Sequence, residues 1–255
     1  MKSRLWWFAL LLLFATMASA LDCKQPLDQD TLNRVGLGFG PDVQLKPGQS
    51  HQFTLAILST FAPSEPVAAC ATWKVEPEGK GANITTEGLL NIDANTPPGS
   101  RFVVTADIEK RRTQRQMPIM VYTDKTHPLV GVWKQTQFQC QAGGDIPTPA
   151  TGTIQELEFR ASGWFSVTWT PFETYRDYWG NYTADPVKKD LSLKIERGNY
   201  LPANFRGTGT FTLTKPDTVE LQGVFLGVRH DGSATEEARV PAACSYTFVR
   251  SSQPG

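Results

Sequence analysis

Residues 156–169 read ELEFRASGWFSVTW. Leu157 and Phe159 alternate in one run and Phe165, Val167 and Trp169 in the next, and the positions between are Glu, Ser and Thr. A period of two puts successive side chains on opposite faces of a strand, so each run has one dry face and one wet face. Ala161-Ser162-Gly163 between the runs is a turn signal. The stretch is therefore a β-hairpin, and its pattern recurs outward. Leu191, Leu193 and Ile195 alternate, as do Phe211 and Leu213, then Val219 and Leu221. Extended runs fall at 129–133, 153–160, 164–170, 179–184, 191–196, 207–214, 218–226 and 244–250. Alternation over consecutive runs joined by turns predicts an up-and-down antiparallel sheet with one dry face. Eight such strands are enough to close into a barrel, which removes the exposed edges.

Upstream, residues 42–124 carry shorter runs at 43–46, 52–58, 69–75, 83–92, 101–108 and 117–123, punctuated by Pro47-Gly48 and Glu87-Gly88. Short strands at this spacing without a helical period predict a β-sandwich. Residues 21–41 read as an irregular lead-in. Gly36, Gly38 and Gly40 there form a turn rather than a nucleotide loop, because no apolar strand precedes them and Pro41 follows where a helix would start. Residues 125–128 read as a linker and 251–255 as a tail.

The first twenty residues read as a cleaved signal peptide. Lys2 and Arg4 precede the apolar run LWWFALLLLF at 5–14, and Ala18-Ser19-Ala20 is a small-x-small cleavage site. The run is short for a bilayer span, so the expectation is a periplasmic or secreted protein with no membrane span once the signal is removed. The 255 residues have zero formal charge, which gives no global field to gather nucleic acid. In an oxidising compartment four cysteines suggest disulfides, with three possible connectivities. Position favours Cys23–Cys70 and Cys140–Cys244, since each pair then stays within one half of the chain. Metal spacing of Cys or His is absent from the sequence, and no cofactor or metal is expected.

Two resemblances emerge from these residues. The succession VQLKPGQS, ATWKVEP, NITTEGLLNID, PPGSRFVVTADI and PIMVYT over residues 42–124 resembles the bacterial immunoglobulin-like repeat. The resemblance implies a small sandwich used as a spacer or adhesive module, with Trp73 as its core tryptophan; Cys70 departs from the pattern. Residues 129–250 resemble the lipocalin-like barrels through Gly131-x-Trp133, the hairpin quoted above, Gly180-x-Tyr182 and the closing Tyr246-x-Phe248-x-Arg250. This second resemblance implies that Trp133 closes one end of the barrel under Arg250, a cation–π contact worth about 0.5–2 kcal/mol. Cys140–Cys244 would then staple the first strand to the last. After Arg250 only SSQPG remains, where that family carries a helix.

Candidate site residues concentrate in WFSVTWTPFETYRDYWGNY, residues 164–182. Gln135, Gln137 and Gln139 share the parity of Trp133, so without a bulge they line the barrel interior with Trp169, Tyr175, Tyr178 and Trp179. With a bulge they turn outward and the core is simply aromatic. In the loop that runs from Phe172 to Tyr178, Glu173, Arg176 and Asp177 form either a local ion-pair set that fixes the loop or convergent polar groups at a barrel mouth. Nothing resembles a nucleophile motif, and His230-Asp231-Gly232 reads as a turn, so no enzyme is expected. Asn83-Ile84-Thr85 and Asn181-Tyr182-Thr183 match glycosylation sequons that are accidental in a bacterial cell. Two functions fit: a non-enzymatic binding protein whose barrel holds a small amphipathic ligand, or a protein-interaction module, such as a protease inhibitor or envelope adhesion factor, around a solid barrel.

Overall fold

The protein is described here in a computed structural model that covers residues 26–38, 42–58, 65–140, 153–172, 175–202, 205–227 and 244–251. The expected signal peptide at 1–20, Cys23, Glu173 and His230 lie outside the described residues, as does the side chain of Cys140. The fold is all-β, with one short helix among the described residues. None of their helices is long and apolar enough to cross a membrane.

The described part of the lead-in, residues 26–38, holds a short helix and a strand. Asp28 caps α1 (Gln29–Arg34), its carboxylate accepting the Thr31 N–H and the Thr31 hydroxyl, each at 2.8 Å. Leu32 is the helix's one buried residue, and a single apolar anchor in six residues leaves no 3.6-residue period to read. Next come β1 (Val35–Gly36), β2 (Val43–Leu45), β3 (Ser50–Gln52), β4 (Ala56–Ile57), β5 (Glu65–Pro66), β6 (Ala71–Glu76), β7 (Ala82–Ile84), β8 (Leu89–Ile92), β9 (Arg101–Ile108) and β10 (Thr113–Val121). They form three sheets, ordered β2-β10-β9-β6, β3-β8-β7 and β1-β4-β5, with β2 parallel to β10. The run expected at 52–58 is broken into β3 and β4, with Phe53 and Leu55 both buried between them. These sheets share one apolar core built on Leu45, Phe53, Leu90, Ile92, Val104, Ile108, Ile119 and Val121. Trp73 is only half-buried, its ring lying over the Cα of Gly88 and 6.0 Å from Phe53.

The second half is a closed antiparallel barrel of β11 (Gly131–Cys140), β12 (Glu156–Phe159), β13 (Trp164–Thr168), β14 (Tyr178–Asp185), β15 (Asp190–Gly198), β16 (Thr208–Lys215), β17 (Thr218–Gln222) and β18 (Cys244–Arg250). β11 pairs with both β12 and β18, which completes the circle. Leu157, Phe159, Phe165, Val167, Leu191, Leu193, Phe211, Val219 and Leu221 all enter one buried cluster. The period-two pattern therefore sorts in from out along the wall, as side-chain alternation requires.

Three tight turns, at 160–163, 186–189 and 216–217, share the end of the barrel where the linker arrives, because strands alternate in direction. Asp185 Oδ1 accepts the N–H groups of Val187 and Lys188, an Asx turn that fixes the second of these. The connections after β13, β15 and β17 leave from the opposite, loop end. Gly180 allows a close approach between β14 and β15. A Cβ there would sit 2.0 Å from the Lys194 carbonyl oxygen, so Gly180→Ala is expected to cost about 1–3 kcal/mol by forcing the strands apart, read by urea denaturation.

Tyr178, Tyr182 and Tyr246 are buried inside the barrel, and desolvation raises all three phenols above their ordinary range. A raised folded pKa gives stability that is present below the unfolded value and lost as pH rises. An alkaline titration followed by phenolate absorbance is expected to show these three ionising together with cooperative unfolding, above pH ~10.

Candidate functional site at the loop end of the barrel

Trp169 closes the barrel interior from the loop end. It is buried beside Tyr178, with ring centroids 5.9 Å apart, and beside Tyr200 at 6.4 Å. Tyr178 is fully buried and donates its hydroxyl to the Leu226 carbonyl at 2.6 Å; Tyr246 accepts the Leu226 N–H at 3.0 Å. Buried phenols with such partners add rigidity without exposing a polar group. Asp177, itself buried, organises the loop above. One carboxylate oxygen accepts the Trp169 N–H at 2.8 Å and the other the Tyr175 hydroxyl at 3.2 Å. The Asp177 N–H and C=O bond to Val167 and Tyr200, tying two neighbouring connections together.

On this clasp the loops present apolar surface. Phe172 is 66% exposed, Leu201 56% and Tyr175 40%. The fourth exposed large hydrophobic among the described residues, Val187, lies in a tight turn at the other end. Exposed apolar side chains gathered on loops above a rigid scaffold are the usual mark of a contact surface.

The expected ligand set does not converge. Gln135 is buried, but its side-chain oxygen accepts the Ile154 N–H at 3.1 Å, so it closes a backbone gap. The register of β11 against β18 slips between Gln135 and Gln137, and this bulge reverses the parity that puts the glutamines inside. Gln137 and Gln139 are exposed, and Phe138 takes the inward place, 4.6 Å from Tyr246. Trp179 is half-buried on the outer wall, next to a second register slip. Arg176 also lies outside, reaching Ser166 at 3.3 Å and Glu158 at 3.3 Å, with Trp164 5.2 Å from its guanidinium.

Arg176 belongs to a chain of charges along the outer wall that no sequence pattern announced. Glu158 pairs with Arg160 at 2.7 Å through its other oxygen, and Arg160 pairs with Asp42 of the front sheets at 2.9 Å. Arg160 also donates to the Asp42 carbonyl at 2.7 Å, and the Ala161 N–H donates to Gln44 at 2.6 Å. Asp42 and Arg160 are 118 positions apart, so only the fold brings them together. At this same end the Arg250 guanidinium stacks 4.2 Å over Trp133 and donates to the Val130 carbonyl, while Trp133 donates to the Leu129 carbonyl at 2.6 Å.

Among the described residues no group of three or more His, Cys, Asp or Glu is placed to hold a metal ion, and neither Cys70 nor Cys244 is a free thiol. The backbone register sets Cys140 opposite Cys244 on adjacent strands.

No protein-family model matches this chain. No curated protein matches it either. Among solved structures, the crystal structure of human protocadherin-24 EC1-2 is similar over 83% of this chain and 95% of that one, at 13% identity and a TM-score of 0.24. A likeness that weak bears on neither fold nor function.

Proposed function

We propose that this is an exported, non-enzymatic interaction protein, in which an immunoglobulin-like sandwich of residues 42–124 carries a lipocalin-like barrel of residues 129–250. On this reading the barrel interior is solid and the loop end docks on another protein of the cell envelope. One observation carries the proposal. Trp133, Phe159, Phe165, Tyr178, Phe211 and Phe248 are all under 2% exposed inside the barrel, whereas Phe172, Tyr175 and Leu201 stand out at one end of it. Six large rings fill the space a ligand would take, so the second of the two functions considered above is the better supported. The partner surface that suits these loops is an apolar pocket that takes the Phe172 ring as an anchor.

The test is site-specific photocrosslinking in the native cell. A photoreactive phenylalanine analogue at position 172 is expected to give one discrete protein adduct, lost on Leu201→Asp, while the same analogue at 187 gives none. Equal labelling from both positions, or no adduct from 172, would sink the idea.

Export and oxidation complete this reading, with cleavage after Ala20 and bridges Cys23–Cys70 and Cys140–Cys244. The opposed register of Cys140 and Cys244 supports the second bridge, as does the loop-closure entropy of joining first strand to last, about 4–5 kcal/mol on the chain-entropy model. Peptide mapping under non-reducing conditions is expected to link 140 with 244; a peptide joining Cys70 to Cys140 overturns both pairings.

A further inference from the structure

A cleft of about 370 Å³ opens where the front sheets meet the barrel, and Asp42, Val43, Leu45, Tyr122, Arg160 and Ser251 are among the residues lining it. Asp42 and Arg160 are 5% and 7% exposed. Their ion pair joins Asp42 Oδ1 to Arg160 Nη1, while Arg160 Nη2 pairs with Glu158. Asp42 Oδ2 and Arg160 Nε, both buried, have no hydrogen-bond partner among the described residues. An unpaired buried polar atom costs about 1–3 kcal/mol, and here there are two on one ion pair, an acceptor and a donor.

The chemistry of those two atoms narrows what could answer them. Hydroxyls donate to a carboxylate oxygen and accept from an N–H. A charged ligand is disfavoured, because the cleft's own lining already balances two carboxylates, Asp42 and Glu158, against two guanidiniums, Arg160 and Arg250. An added net charge in this shielded place would go uncompensated. Val43, Leu45 and the ring of Tyr122 supply apolar wall, and the volume lies at the lower end of small-molecule sites.

We propose that this cleft binds a small neutral polyhydroxylated ligand, a ring sugar, with separate hydroxyls answering Asp42 Oδ2 and Arg160 Nε and the apolar face of the ring on the cleft wall. Because both atoms are shielded, binding includes a shift of the Arg160 side chain. The site lies at the junction end of the barrel and stands independently of docking at the loop end.

Arg160 Nε–H gives its own resonance, so the test is a ¹⁵N-resolved titration of the full chain with methyl glucoside, methyl mannoside and methyl galactoside. Gluconate and glucosamine serve as charged controls. The expected result is a saturable shift of the Arg160 Nε–H signal with at least one neutral sugar and none with the charged pair. Asp42→Asn is expected to weaken binding about tenfold or more, since a hydrogen bond to a charged group is worth at least that factor. Ser251→Trp, which fills the cleft from its rim and leaves the ion pair intact, is expected to abolish the shift. An Arg160 signal that stays still with all three sugars up to about 100 mM, a hundredfold above a millimolar dissociation constant, overturns the proposal. So does a shift that survives Ser251→Trp.

Discussion

Trp133→Ala is expected to lower the unfolding free energy of the barrel by about 4–6 kcal/mol, read from the urea midpoint at an unchanged slope. Removing a fully buried tryptophan costs about 3–5 kcal/mol through lost transfer energy and the cavity left behind. Trp133 is 0% exposed and carries the Arg250 guanidinium 4.2 Å from its ring, and that stacking adds about 0.5–2 kcal/mol. Arg250→Met separates the two parts. It keeps much of the stem's packing but forfeits the stacking and the bonds to the Val130 and Pro128 carbonyls, so a loss of about 1–3 kcal/mol is expected. A Trp133→Ala variant that unfolds within 1 kcal/mol of wild type would show that the barrel does not depend on this plug.

Arg160→Ala is the second large effect, expected at about 3–5 kcal/mol. The Arg160 side chain is 8% exposed and holds the side chains of Asp42 and Glu158, which are 3% and 10% exposed. Removing it leaves one buried carboxylate with no cation and another with only the half-exposed Arg176, and an uncompensated buried charge carries a penalty of that size. The double variant Asp42→Leu with Arg160→Met is expected to recover most of the loss, because replacing both partners by apolar groups removes the desolvation cost together with the attraction. Denaturation curves of the single and double variants decide it. If the double variant is as unstable as Arg160→Ala, the damage is lost packing rather than stranded charge.

The barrel was legible because its wall obeys one local rule. Leu157, Phe159, Phe165 and Val167 alternate with Glu158, Ser166 and Thr168, and every hairpin repeats that grammar with a turn residue at its end. The rule failed where the chain inserts a residue. The glutamines of β11 keep their parity in sequence, but the slip after Gln135 puts Phe138 inside and Gln137 outside, and nothing local to the strand encodes that slip. The helix α1 was missed for want of length. The candidate site was half legible. Aromatic density marked the 164–182 stretch, yet it could not separate Tyr178, sealed in the core, from Phe172, two-thirds exposed. The charged chain from Asp42 through Arg160 and Glu158 to Arg176 was invisible, because its members pair across the fold.

Closure of β11 on β18 brings Gly131 and Arg250 to the same rim, and the backbone bond from Ser251 to Val132 continues that pairing. The barrel's own ends are thus already neighbours, so a short peptide could join them and new termini could be cut in a loop-end connection without unpicking a single strand pair. Such a rearranged barrel, released from the front sheets, offers a way to learn whether the eight strands hold their shape alone or lean on the Asp42–Arg160 contact to do so.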